Sequence, residues 1–153
     1  VPIKIAFPNV KITLLDSLNK RVNFLNEVIR ELELDNIYTL HGRAEDFAKK
    51  KEMREQFDFC VSRAVANLSS LTEFCLPYVK VGGKFVSYKS EKAREELETA
   101  QNAISILGGD NVKAEEFLLP GTDFKRTFII VEKVKETPAK YPRKAGTPIK
   151  QPL

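Results

Sequence analysis

An open α/β sheet, mostly parallel and finished by an antiparallel hairpin, is the fold this sequence predicts. Two observations carry that expectation. From Val10 to Leu107, strand-length and helix-length apolar runs alternate, the pattern of repeated βα units with helices on both faces of a sheet. The last two strand-like runs, Val112 to Leu119 and Arg126 to Val134, are joined by a stretch containing P-G-T-D-F, too short for a crossover helix, so they must pair antiparallel.

The elements follow in order. Residues 1 to 7 are apolar and precede Pro8-Asn9, as the end of a helix before the first strand. V-K-I-T-L-L-D, residues 10 to 16, is a strand ending in an acid, and Ser17 is placed to cap the next helix. Leu18, Val22, Leu25, Ile29 and Leu32 recur every three or four residues and form one helical face. Asn36 to His41 is a second strand, Gly42 breaks it, and Ala44 to Gln56 is a charged helix. Phe57 to Ser62 is rich enough in aromatic and β-branched residues to be buried on both faces. Asn67 to about Lys80 is a helix with a left-handed stop at Gly82-Gly83. Lys84 to Tyr88 is a strand, and Glu91 to Leu107 is a helix ended by Gly108-Gly109.

Composition narrows the function. The 153 residues, 42% of them hydrophobic, suffice for one domain with a core and are too apolar for a disordered chain. No run of about 18 apolar residues occurs, so no membrane-spanning helix is expected. Two cysteines, Cys60 and Cys75, match neither a disulfide scaffold nor a zinc spacing, and a reduced, cytoplasmic protein is expected. His41 is the only histidine, which excludes a multi-histidine metal site and leaves any Ser-His-Asp triad hanging on one residue. No glycine lies in a G-x-G-x-x-G or P-loop pattern.

Charge is uneven. Residues 1 to 132 hold 19 bases against 20 acids, whereas Lys133 to Leu153 hold six bases against Glu136 alone. That tail also carries four of the eight prolines, so residues 135 to 153 read as an extended basic arm, neither helix nor central strand, beside a domain of residues 1 to 134. Such an arm suits a phosphate backbone, although a merely solvated tail has the same composition.

In parallel sheets ligands gather at the carboxyl ends of strands, here Asp16-Ser17, His41 to Glu45, Ser62-Arg63 and Lys89-Ser90. Asp16 is placed to accept hydrogen bonds from the ribose hydroxyls of an adenosine cofactor, either nicotinamide-based or S-adenosylmethionine. Its alternative use is to cap the positive end of the following helix.

L-L-D-S-L-N-K-R-V-N-F-L (14 to 25), H-G-R-A-E-D-F (41 to 47), S-R-A-V-A (62 to 66), F-C-L-P-Y-V-K-V-G-G (74 to 83) and T-P-A-K-Y-P-R-K-A-G-T-P (137 to 148) resemble one family along the whole chain. It is the glucose-inhibited division protein B family, 16S ribosomal RNA guanine-N7 methyltransferases of type G. The resemblance implies a class I, Rossmann-like methyltransferase sheet of seven strands in order 3-2-1-4-5-7-6, with strand 7 antiparallel. It implies S-adenosylmethionine as cofactor, 16S rRNA of the small ribosomal subunit as partner, and neither membrane nor metal.

Carried over by residue, Asp16 and Ser17 resemble ribose contacts, Ala44 and Glu45 the pair beside the adenine, and Arg63 the arginine of the cofactor and substrate pocket. Lys20, Arg43, Lys89 and Arg126 match basic positions for RNA phosphates or the target guanine, and Lys140, Arg143 and Lys144 would extend that surface. A non-catalytic RNA-binding module is the rival reading, and a nicotinamide enzyme comes third.

The family's first strand, with its glycine-rich turn, has no counterpart here, so the sequence is expected to be the C-terminal part of a longer enzyme. Its two neighbouring strands would each lack a ladder of hydrogen bonds. The 153-residue chain alone is therefore expected to melt broadly or self-associate. A sharp cooperative transition of a clean monomer in calorimetry and sedimentation would contradict this.

Overall fold

In the first half of the chain, the periodicity of four and three residues builds a helix that rests on a short parallel pair of strands. The computed structural model describes residues 1–63, 66–89 and 93–153. Within them the chain forms two compact units, Val1–Ala44 and Glu45–Leu153.

The first unit runs α1 (Pro2–Ala6), β1 (Ile12–Asp16), α2 (Asn19–Glu31) and β2 (Ile37–His41). β1 and β2 pair in parallel, from Ile12 opposite Ile37 to Asp16 opposite His41. On α2, Val22 is buried and Leu25 and Ile29 are half-buried, but Leu18 and Leu32 at the ends of the expected face are exposed. Ser17 is not the helix cap. Leu18 occupies that position with no side-chain cap of its own, and its N–H donates to Asp16 Oδ1 at 2.8 Å. A carboxylate two residues upstream thus does what the serine was expected to do.

The second unit contains α3 (Ala44–Phe47), whose first residue closes the preceding unit, then β3 (Phe57–Arg63), α4 (Leu68–Cys75), a 3₁₀ turn (Leu76–Tyr78), β4 (Val79–Lys89), α5 (Ala93–Ile106), β5 (Gly109–Leu118), β6 (Lys125–Lys133) and α6 (Thr147–Lys150). Its sheet has the order β3-β4-β6-β5; β3 and β4 are parallel, and β6 is antiparallel to both neighbours. These orders agree with strands 3-2 and 4-5-7-6 of the expected sheet. Phe85, Ile129 and Val131 from the sheet meet Leu68, Leu71 and Leu76 from the α4 side, with Leu107 at the end of α5, to make the core.

Three expectations are corrected. α3 has one turn rather than thirteen residues: after it, Lys49 to Lys51 place like charges side by side, and Arg54 is drawn away to the carbonyl oxygens of Thr137 (2.6 Å) and Tyr141 (2.8 Å). Gly82-Gly83 do not stop a helix. α4 ends at Cys75, before the turn at Pro77, and the glycines lie inside β4 where its register with β3 shifts between Phe57 and Phe59. A Cβ on Gly83 would stand 2.6 Å from Asp58 O, so the bulge brings two backbones closer than any side chain allows. β3 is not buried on both faces: Phe59 and Val61 are 63% and 47% exposed.

The tail is also different from a projecting arm. Tyr141, Pro142 and Pro148 are buried, and Thr147–Lys150 forms one helical turn with Pro148 in its first turn, where the missing N–H costs nothing. Arg143 grips Glu73 of α4: its Nη2 lies 2.7 Å from Oε2, its Nε 3.0 Å from Oε1, and its backbone N–H donates to Oε1 at 2.7 Å. The carboxylate raises the guanidinium's pKa still further above its ordinary value. Lys133, fully buried, donates to Leu76 O, Thr137 Oγ1 and Glu55 Oε1; burial lowers its pKa, and the Glu55 carboxylate opposes that shift.

Removing the cation from a buried pair strands the carboxylate. Arg143→Ala should therefore lower unfolding stability by about 3 kcal/mol. A loss below about 1 kcal/mol in urea titration, the range of exposed pairs, would contradict the clasp.

Candidate functional site

Parallel strands deliver their last residues to one edge, and in the first unit β1 delivers Asp16. Oδ1 of Asp16 is taken by Leu18 N–H, while Oδ2 accepts, among the described residues, only a long hydrogen bond from Arg21 Nη1 at 3.5 Å; the side chain is 24% exposed. One oxygen thus remains open to a hydroxyl donor. Capping and ribose binding, alternatives in the sequence, are compatible at this carboxylate. Ser17 and Lys20 are exposed beside it, and His41 at the end of β2 places Nε2 3.3 Å from Ser17 O. Arg43 is exposed and free of hydrogen bonds and ion pairs among the described residues. Ala44 closes this unit.

In the second unit Glu45 is buried, and its Oε1 accepts the Gly146 N–H at 2.8 Å. Its carboxylate is turned to the tail and holds α3 to it. Arg63, the last residue of β3, is exposed, and among the described residues its guanidinium has no hydrogen-bond or ion-pair partner. Ala64 and Val65 of S-R-A-V-A, Ser90, and Glu91 at the expected start of the following helix lie outside the described residues.

The expected RNA-facing cations divide into two groups. Lys89, at the end of β4, is buried, and its Nζ donates to Ala66 O and Glu96 Oε2, both at 2.7 Å. Glu96 Oε2 also accepts Leu68 N–H, so this ion pair joins the start of α4 to α5. Arg143 is held by Glu73. These two cations, expected at the RNA surface, both have partners inside the protein. Lys140 and Lys144 are exposed, Lys140 lying 5.2 Å from the centre of the Tyr141 ring. Arg126 is half-buried on β6, 5.5 Å from the centre of the Phe124 ring.

Sequence reasoning passed over a recess of about 440 Å³ lined by Arg94, Glu116, Asp123, Lys125 and Thr127. Its signal was present in P-G-T-D-F, which was read only for its length. No group of three or more potential metal ligands occurs among the described residues, and no helix there is long and apolar enough to cross a membrane.

The parallel pair β1-β2 and the order β3-β4-β6-β5, with β6 antiparallel, are strand arrangements of the class I methyltransferase fold. A solved methyltransferase from Pyrococcus furiosus has it too: TM-score 0.63 at 19% identity, covering 88% of this chain and 68% of that one. A family model, GidB, rRNA small subunit methyltransferase G, matches residues 1–123. A ribosomal RNA small subunit methyltransferase G from Lachnoclostridium phytofermentans is 58% identical over all 153 residues, and one from Alkaliphilus metalliredigens is 51% identical. This chain belongs to that methyltransferase family, and it spans 63% and 64% of the length of those two relatives.

The internal role of Lys89 is testable. Lys89→Met should lower the urea midpoint, with a loss of about 3 kcal/mol for a broken buried pair. An unchanged midpoint with weakened RNA binding would instead return Lys89 to the RNA surface.

Proposed function

We propose that the protein to which this segment belongs transfers a methyl group from S-adenosylmethionine to N7 of a guanine in 16S rRNA of the small ribosomal subunit, in the cytoplasm. The observation that carries the reading is the family match over residues 1–123, which falls on a strand-end carboxylate with one open oxygen, Asp16. S-adenosylmethionine, when bound, supplies an electrophilic methyl on a sulfonium.

The open Oδ2 of Asp16 fits a ribose hydroxyl, with Ser17 beside it. Ala44 would lie on the adenine side, and buried Glu45 would act there by fixing α3 rather than by presenting its carboxylate. Guanine N7 carries a free lone pair and accepts a methyl without losing a proton first. No general base is required of the chain. The work left to its residues is orientation and exclusion of water. Arg63, whose guanidinium has no partner among the described residues, is suited to donate to the O6 side of guanine, as arginine does elsewhere. Lys20, Arg43, Arg126, Lys140 and Lys144 suit phosphates, and their contribution should weaken as salt rises.

The test is transfer of labelled methyl from S-adenosylmethionine to 16S rRNA and to assembled small subunits by the protein with its native upstream sequence, followed by mapping of the modified nucleotide. Label at guanine N7 is expected. RNA binding without transfer would favour the non-catalytic module. Arg63→Ala should reduce transfer at least a hundredfold with the melting temperature unchanged; transfer within threefold of wild type would refute its role.

A further inference from the structure

We infer that the recess beside the β5–β6 hairpin selects guanine by its Watson–Crick edge, with the Asp123 carboxylate accepting from N1–H and the N2 amino group. This rests on the methyl-transfer reading above and names how its substrate base would be chosen.

The position of the recess is the first support. Thr127, one of its walls, is the register partner of Lys89, the last residue of β4. The recess therefore opens at the carboxyl end of a parallel strand, the edge at which such sheets take ligands. Its volume of about 440 Å³ falls within the range of small-molecule sites.

The chemistry of the walls is the second. Glu116 is occupied, its Oε1 2.9 Å from Arg94 Nε. Asp123 differs: among the described residues its carboxylate has neither a hydrogen bond nor an ion pair, and it faces a space large enough for a base. An ionised carboxylate offers two acceptors and no donor. Guanine alone of the four RNA bases sets two adjacent donors, N1–H and N2–H, on one edge. Adenine places the N1 acceptor there, which a carboxylate repels, and uracil has a single donor.

Phe124 is the third. It follows Asp123 directly, is 60% exposed, and carries the Arg126 guanidinium at 5.5 Å from its ring centre. An exposed ring backed by a cation is a stacking surface for an unpaired base, and enzymes that modify a base take it out of its helix and read its Watson–Crick edge against such rings. The geometry of the purine completes the inference. N7 lies on a different edge from N1 and N2, so a guanine held by Asp123 keeps the N7 lone pair clear of that carboxylate and free to react.

Inosine provides the test, because it keeps N7, O6 and N1–H and lacks only the N2 amino group. Labelled methyl transfer by the protein with its native upstream sequence is compared on RNA bearing guanine or inosine at the modified position. Wild type should favour guanine about tenfold, within the discrimination of a paired contact. Asp123→Asn should slow transfer to guanine about tenfold and bring the guanine-to-inosine ratio close to one, with unchanged S-adenosylmethionine affinity and melting temperature. Equal wild-type rates on the two RNAs, or a preference that survives Asp123→Asn, would overturn the inference while leaving the methyltransferase reading intact. Transfer to neither RNA would overturn that reading and this inference together.

Discussion

Glu73 sits in the middle of α4 with its side chain 1% exposed. A carboxylate taken so far out of water requires a cation and further donors around it. Arg143 supplies all of them from 70 residues away in the sequence. Much of the second unit follows from that pairing. Once Arg143 is fixed, Gly146 can donate to Glu45, Pro148 O can accept from Ser70 Oγ, and Leu153 O can accept from Ser69 Oγ. A basic, proline-rich stretch becomes a strap across α4 and α3. Lys133, Glu55, Thr137 and Arg54 tie down the start of the same strap, with Lys133 paired to Glu55 and Arg54 bonded to backbone carbonyl oxygens.

The strap is tied to elements that lead to the strand ends. α4 and the turn after it lead directly into β4, and β4 ends at Lys89, whose ion pair with Glu96 sets the start of α5. Around this end the unit presents Thr127, Arg94 and the β5–β6 hairpin. Its basic residues therefore do two kinds of work. Lys89, Lys133 and Arg143 are spent inside the protein, holding elements together. Arg63, Lys140 and Lys144 remain exposed, available to an anionic partner. Net charge alone would not have separated the two kinds, because burial rather than sign decides which cation can meet a phosphate.

Strand order and the hairpin were legible in the sequence, since alternating apolar runs and a linker too short for a crossover leave few topologies. The place of Asp16 at the end of β1 was legible because the apolar run stops at that acid. The Glu73–Arg143 pair was not, because no local pattern tells a buried glutamate on a helix from a solvated one. For the same reason the tail's six bases suggested only an arm. The end of α4 was misread because a Gly-Gly pair serves equally as a helix stop and as a bulge; Pro77, two residues past Cys75, was the better punctuation. The hairpin recess escaped notice because its acid, Asp123, belongs to a linker that was read only for its length.

On the proposed reading, Asp16 would hold the ribose of a bound S-adenosylmethionine. Calorimetric titration of S-adenosylmethionine into the protein with its native upstream sequence, and into its Asp16→Asn variant, tests it most directly. The account predicts saturable binding at one site, weakened about tenfold in the variant by loss of a charge-assisted hydrogen bond. Absence of binding, or equal affinity in the two proteins, would contradict it.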